Sequence, residues 1–162
     1  MITHPIAPVW DENSKILILG SFPSVKSRET MFFYGHPQNR FWRVTSSVTN
    51  SPLPVTVEEK KSFLLSKGIA VWDVIASCDI TGSSDSSIKN VTPNDLSAIL
   101  SGANIKAIFT NGKTAHNLYQ KYLKPATGRE DICLPSTSPA NAQWTAELLT
   151  GPWSRICEYL DD

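Results

Sequence analysis

Two short aliphatic runs constrain the fold of this chain more than any other feature. Lys15–Leu19 (KILIL) and Lys106–Thr110 (KAIFT) are each five residues long and are stopped by turn residues, Gly20 in one case and Asn111-Gly112 in the other. A continuous apolar run of this length, without polar alternation, has both faces covered, as strands of a parallel sheet do. Weaker runs lie at Gly68–Val71 and at Asp131–Leu134, the second stopped by Pro135. Helical patterns separate them. Thr56-Val57-Glu58-Glu59 is a capping box opening a helix to Gly68, and Thr92-Pro93-Asn94-Asp95 offers a cap, a first-turn proline and an early acid. Phe41, Trp42, Thr45 and Val48 share one helical face, as do Ala115, Leu118, Tyr119 and Tyr122 within Lys113–Leu123. Trp144–Leu160 reads as one or two helices divided near Gly151-Pro152. Strands alternating with helices predict an α/β layer fold with a short, mainly parallel sheet.

At 162 residues the chain has the length of one domain, 1–162. Cys78, Cys133 and Cys157 are an odd number with no CxxC spacing, which disfavours a disulfide framework, a zinc site or an iron–sulfur cluster and fits a reducing cytoplasm. No apolar run reaches the roughly 18–20 residues of a membrane span, and the first residues lack a signal-peptide pattern. The net charge is zero, yet it is unevenly spread. From Asn13 to Val57 the charges are Lys15, Lys26, Arg28, Arg40 and Arg43 against Glu29 alone, and from Leu100 to Arg129 there are five cations and no acid. Folding that joins these segments gives a neutral protein one basic face; the alternative is scattered solvated charge.

Ligands of α/β sheets collect at the carboxyl ends of strands. After the first run comes Gly20-Ser21-Phe22-Pro23-Ser24, which is neither a phosphate loop nor a nucleophile elbow. Next, Met31–Trp42 holds five of the chain's 15 aromatic residues, interleaved with His36, Gln38, Asn39 and Arg40. Aromatic faces beside directional polar groups suit a splayed-out nucleobase, since stacking is worth roughly 1–3 kcal/mol per base. The helical spacing places Phe41 and Trp42 in the core, whereas Phe33, Tyr34 and His36 are expected in a pocket. Asn39 either caps the helix or aims its carboxamide into a cleft. Asn111 closes the second run as a turn residue whose side chain also faces the ligand crevice. After the last run, Leu134–Asn141 (LPSTSPAN) is a stiff, uncharged loop suited to phosphates, or a plain connector.

In this order, GSFPS, HPQNRFW, a strand ending in NGK, SSDSSIKN and LPSTSPAN resemble the uracil-DNA glycosylase superfamily, and most closely its hypoxanthine-DNA (DNA-deoxyinosine) glycosylase branch, over about Ile16 to Asn141. The resemblance implies a three-layer α/β/α fold with a four-stranded sheet and hydrolytic removal of a deaminated base from DNA. Phe22 stands where uracil-specific members carry Asp or Asn, and Leu134 where some carry His. The resemblance therefore shifts catalytic weight to Asn39, which would orient the attacking water. Gly20, Ser21, Phe22, Pro23, Phe33, His36 and Asn111 would hold or read the base, with Phe22 or Phe33 stacking on it. Ser24, Lys26, Arg40, Lys113, Ser136, Ser138, Pro139 and Asn141 would meet the DNA. A monomer acting in a prokaryotic cytoplasm at the nucleoid, without metal or organic cofactor, is expected. Other readings are a uracil or xanthine mismatch glycosylase, a catalytically silent damaged-DNA-binding module, and a hydrolase of free nucleosides.

Overall fold

A computed structural model describes residues 1–160. Its centre is a parallel sheet of β2 (Ile16–Gly20), β3 (Ile69–Asp73), β6 (Ala107–Asn111) and β7 (Asp131–Leu134), in the order β3-β2-β6-β7. Both strong runs are thus strands, and adjacent ones, with Ile16 opposite both Ile69 and Ala107. Ile16, Leu17, Ile18 and Leu19 have no exposed surface, and each such side chain contributes roughly 1.5–3 kcal/mol by burial. The two-residue period of a strand divides them. Ile16 and Ile18 join one core with Phe41, Trp42 and Val44 of α2 (Phe41–Val48), Leu64 of α3 (Val57–Lys67), and Leu149 and Trp153 of α7 (Ala146–Trp153). Leu17 and Leu19 join a second core with Ile99 of α4 (Ser97–Gly102) and with Tyr119 and Leu123, which lie on a π-helical turn between α5 (Lys113–Leu118) and α6 (Lys124–Thr127). A core on each face makes the expected three layers.

Several local expectations match closely. Helix α3 has Thr56 as its cap, with the reciprocal Glu59 bond, and ends at Gly68 in the left-handed conformation. Phe41 and Trp42 are buried, as their spacing predicts. Helix α7 runs through Pro152 to Trp153, then passes by a 3-10 turn into α8 (Cys157–Leu160), so the break comes just after the expected one.

The proposed helix start at Thr92-Pro93-Asn94-Asp95 is wrong. Thr92 and Pro93 end β5 (Lys89–Pro93), which pairs antiparallel with β4 (Ile75–Asp79), itself paired to β1 (Ile2–Thr3). Asn94 is buried and its Nδ2 donates to the carbonyls of Asp73 and Ile75, so it seals a strand end, and α4 starts at Ser97. This small second sheet has no counterpart in the sequence patterns because its strands are half-exposed and polar, and β4–β5 is broken by register shifts. Among the described residues, no helix is long and apolar enough to cross a membrane.

Candidate active site

The carboxyl ends of β2, β3 and β6 open into a cavity of about 370 Å³, within the range of small-ligand sites. The exit of β2 supplies Gly20, Ser21, Phe22, Pro23 and Ser24, and the segment before α2 supplies Phe33, Tyr34 and Asn39. Asp73 comes from the end of β3 and Asn111 from the end of β6, while Ser136, Thr137, Ser138 and Ala140 follow β7. Of the residues singled out in the sequence, Gly20 to Ser24, Phe33, Asn39, Asn111, Ser136 and Ser138 converge here. His36, Lys26, Arg40, Lys113, Pro139 and Asn141 are not among the residues lining it.

Asn39 stands one residue before the N-cap of α2, which is Arg40 and has no side-chain cap bond of its own, and it lines the cavity. Its Oδ1 accepts the N–H of Phe41 at 2.9 Å, fixing the start of α2, and the half-buried side chain lines the cavity. A carboxamide oxygen has two lone pairs, so that bond leaves Oδ1 able to accept from a water. His36 stands outside the cavity and shapes the turn instead. Its Nδ1 accepts from Gln38 N–H at 3.1 Å and its carbonyl from Asn39 N–H at 3.0 Å, which sets where Asn39 stands.

Phe22 lines the cavity with the Arg28 guanidinium 5.6 Å from its ring centre and the His4 ring edge-on at 5.8 Å. Phe33, expected to be exposed in a pocket, is a core residue at 2% exposure that reaches the cavity only as part of its wall. Phe32 packs edge-on against it at 5.6 Å and stacks in turn on Trp42, while the His4 ring lies 6.1 Å away on a tilt, so the ring is enclosed by other aromatic groups.

Asn111 is engaged at both ends of its carboxamide. Nδ2 donates to Thr137 Oγ1 and Oδ1 accepts from Thr137 N–H, each at 3.0 Å, pinning the loop after β7 to the end of β6. Gly112 allows that approach, because its φ is +97° and a Cβ there would sit 2.9 Å from Ser136 Cβ. Arg40, expected to meet phosphate, is turned inward. Its guanidinium donates to the carbonyls of Thr137, Ser138, Asn141 and Trp144, so four of its five N–H groups are spent on the same loop. Within the loop, Ser136 Oγ accepts from Ser138 N–H, Ser138 Oγ from Ala140 N–H, and Asn141 Nδ2 donates to Ser136 O. Ser24 caps α1 (Val25–Thr30) through a 3.1 Å bond from Ser27 N–H. Lys26 and Lys113 are exposed, Lys26 beside Glu29 at 3.8 Å.

Three contributions escaped the sequence reading. The serine-rich segment around Ser83–Ser87 is tied to α1: Ser83 Oγ accepts from Val25 N–H, and Arg28 donates to Gly82 O at 2.7 Å. This holds Ser83–Ser86 along the cavity, where burial pushes the Asp85 carboxyl above its ordinary range despite hydrogen bonds from Thr114 and Ser21. The second is a buried pair, His4 Nε2 and Asp73 Oδ2 at 2.7 Å, with side chains 3% and 5% exposed. The third is the Tyr34 hydroxyl, buried beside Asn111 and, among the described residues, without a well-formed hydrogen bond. Extending the Gly68–Val71 strand by two residues would have placed Asp73 opposite Gly20, at the cavity floor. His4 and the register of β1 left no such trace.

Residues 7–157 match the sequence profile of the Uracil DNA glycosylase superfamily. The chain is 37% identical over 136 residues to a Methanosarcina barkeri protein named hypoxanthine DNA glycosylase, covering 83% of this chain and 85% of that one. It is 36% identical over 147 residues to a protein of the same name from Methanosarcina acetivorans, covering 90% and 92%. The solution NMR structure of a candidate uracil DNA glycosylase from M. acetivorans superposes with a TM-score of 0.84 at 32% identity, over the full length of both chains. With this sheet order, this cavity and a profile match across nearly the whole chain, the protein belongs to the uracil DNA glycosylase superfamily.

Proposed function

We propose that this chain is a monofunctional DNA glycosylase that removes hypoxanthine from deoxyinosine in DNA, leaving an abasic site. The observation that carries the reading is the Asn39 carboxamide, fixed by the Phe41 N–H and lining a cavity that also holds the Phe22 ring. The names of two relatives at 36–37% identity support the choice of base. The nucleotide is extruded from the duplex and its base enters the cavity, where Phe22 stacks against it. As the bond between N9 and C1′ lengthens, its electron pair passes to the base and the sugar gains oxocarbenium character. Asn39 orients a water toward C1′; the water oxygen bonds to C1′, and its proton ends on the departing base. No paired carboxylates are needed, because the purine itself is a competent leaving group.

The loop of Ser136, Ser138, Pro139 and Asn141, together with Ser24, Lys26 and Lys113, meets the flanking backbone. Arg40 and Asn111 act one step back, by holding that loop. Every group in this scheme comes from a single chain, so a monomer suffices, acting in the cytoplasm where the DNA is.

The test is a panel of duplex oligonucleotides carrying one hypoxanthine, xanthine, uracil or adenine, treated with alkali after incubation. Strand cleavage confined to hypoxanthine, or strongest there, is expected. Excision of uracil or xanthine in preference to hypoxanthine overturns the choice of base. Binding to the hypoxanthine duplex with no alkali-labile product overturns the enzyme reading, and turnover of free inosine overturns the DNA requirement.

A further inference from the structure

Asn39 can orient a water but cannot carry its proton, because a carboxamide has an acceptor oxygen, two N–H donors and no basic site. The reaction moves a proton from that water to the departing base, which calls for a titrating group. Three side chains lining the cavity titrate: Tyr34, Asp73 and Asp85. Tyr34 keeps its proton, since burial, and then the Asp73 charge, push its enclosed phenol far above the ordinary range. Asp73 is shut away from solvent in a buried pair, its Oδ2 2.7 Å from His4 Nε2. Asp85 differs from both. It lies on the polar loop joining β4 to β5 and is exposed there while lining the cavity, so it can exchange protons with solvent as well as with a bound base.

Polar bonds fix where Asp85 stands. Ser83 Oγ accepts from Val25 N–H at 2.9 Å, and Ser87 Oγ accepts from Thr81 N–H at 2.8 Å, so the loop is tied to α1 and closed on itself. Ser21, at the exit of β2, donates its hydroxyl to Asp85 Oδ1 at 3.4 Å, and Thr114 of α5 also donates to the carboxyl. Burial outweighs these two bonds and pushes the carboxyl above its ordinary range, toward the protonated form. Charged and titratable groups on the adjoining elements have other partners or face solvent. On α1, Arg28 is turned to Gly82 O and the Phe22 ring, and Lys26 lies beside Glu29. On α5, His116 pairs with Asp131 and Lys113 is exposed. At the roots of the loop, Asp79 pairs with the chain's amino group and Lys89 is exposed. The flanking phosphates of a bound duplex add negative charge, which favours the acid form of Asp85 further.

We propose that Asp85 is the proton-transfer group of the reaction, donating to N7 of the extruded purine as the bond between N9 and C1′ breaks. The assignment rests on the glycosylase reading of this site. N7 belongs to the ring that receives the bonding pair, so a proton there lets the base leave neutral rather than as an anion. The Asp85 O–H bond breaks and an N7–H bond forms, while the pair from C1′–N9 passes into the imidazole ring. The water held by Asn39 bonds to C1′, and its proton passes to the Asp85 carboxylate, which restores the acid. One carboxyl thus serves first as general acid and then as general base, and both products leave neutral. The same protonation explains a carboxyl beside a DNA-binding cavity, since the acid form does not repel phosphate.

The experiment measures single-turnover excision of hypoxanthine from a duplex at saturating enzyme, from pH 5 to pH 8, for wild type, Asp85→Asn and Asp85→Glu. A general acid acts only while it holds its proton, so the wild-type rate should fall as pH rises through the value of the carboxyl in the complex. Asp85→Asn still offers an oxygen to the Ser21 and Thr114 hydroxyls, but it has no proton to give. Its rate should lie about 100-fold below wild type at pH 5 and show no such fall, so the gap narrows toward pH 8. Asp85→Glu should recover part of the rate together with the falling limb. Affinity for a duplex carrying the slowly hydrolysed 2′-fluoroarabino nucleotide of hypoxanthine should not weaken in Asp85→Asn, because no contact that holds the loop is lost. A merely structural role predicts weaker binding and an unchanged pH profile.

If wild type excises hypoxanthine and Asp85→Asn has the wild-type rate throughout, the proposal is overturned while the glycosylase reading stands. The same holds if Asp85→Asn is slower but keeps the wild-type pH profile. If Asp85→Asn does not fold, the wild-type profile decides alone, and a rate that stays level or rises from pH 5 to pH 8 overturns the proposal. If wild type yields no alkali-labile product at any pH, the glycosylase reading fails and this assignment with it.

Discussion

Asn39 both accepts the Phe41 N–H and lines the cavity, and a structural use of the side chain can be separated from a catalytic one by mutation. Its Oδ1 holds the Phe41 N–H at the start of α2, a bond of the kind whose loss costs about 1 kcal/mol. Serine at this position keeps a hydroxyl oxygen able to accept that N–H, but it is too short and lacks the amide to orient a water at the sugar. Asn39→Ser should therefore leave the unfolding free energy from urea titration within about 0.5 kcal/mol of wild type. The same variant should lower the single-turnover excision rate by about 100-fold or more, the scale expected of a group that positions a reactant. Equal losses in stability and rate would mean that the residue is only a cap. The sequence left this pair of alternatives open because residue type and place in the chain were the same for both. Only the fold shows that one side chain both accepts the Phe41 N–H and lines a cavity. His36 failed for a related reason: histidine beside proline looks alike whether its ring enters a pocket or folds back to accept from Gln38 N–H.

Among the elements, the strongly apolar strands and the doubly capped helix were legible, because burial on two faces and capping chemistry each leave a distinct local pattern. The antiparallel strands β4 and β5 were not, since their residues alternate weakly and their partners lie across a serine-rich segment. Thr92-Pro93-Asn94 imitates a helix start because the groups that cap a helix also end a strand. The element that ties α5 to the sheet escaped for the same kind of reason, being built from polar side chains distant in sequence. Asp131, at the start of β7, accepts from Thr110 Oγ1 at 2.6 Å, from Gln120 Nε2 at 2.7 Å and pairs with His116 Nδ1 at 2.7 Å. Burial raises its carboxyl pKa, but the three hydrogen bonds outweigh that and hold it below the ordinary value. A folded-state pKa below the unfolded one contributes stability that is fully present above the unfolded value of about 3.9 and is lost as pH falls through the folded value. Asp131→Asn should thus be less stable than wild type by about 1–3 kcal/mol at pH 7 and pH 5. The gap should narrow only below about pH 4, as wild type takes up its proton. Urea unfolding at pH 7, 5 and 3 checks this. A gap that already closes between pH 7 and 5 would assign it to another group.

Across the whole molecule, zero net charge and a DNA substrate are reconciled by how the cations are used rather than by how many there are. The sequence shows two basic segments, and the fold does bring β2 and β6 together as neighbours, yet half of the story lies in side-chain partners that no pattern reveals. Arg28 is drawn to Gly82 O and the Phe22 ring, and Arg40 to the carbonyls of the loop after β7, so neither presents its charge freely to solvent. Lys26 and Lys113 remain exposed on the helices that follow β2 and β6, the two strands whose carboxyl ends floor the cavity. Phosphate neutralisation releases counterions, and each contact adds about 0.9 to the steepness with which log affinity falls against log salt. Lys113→Ala and Lys26→Ala should each lower the slope by about that amount, with the excision rate at saturating enzyme unchanged. Arg40→Met should behave differently. It leaves several carbonyls of the loop without donors, so affinity should fall at every salt concentration while the slope stays that of wild type. Fluorescence anisotropy titrations from low to moderate salt distinguish the two behaviours. A reduced slope for Arg40→Met would mean that this guanidinium leaves its carbonyls to meet phosphate when DNA binds, and that the loop after β7 is remade in the complex rather than held ready for it.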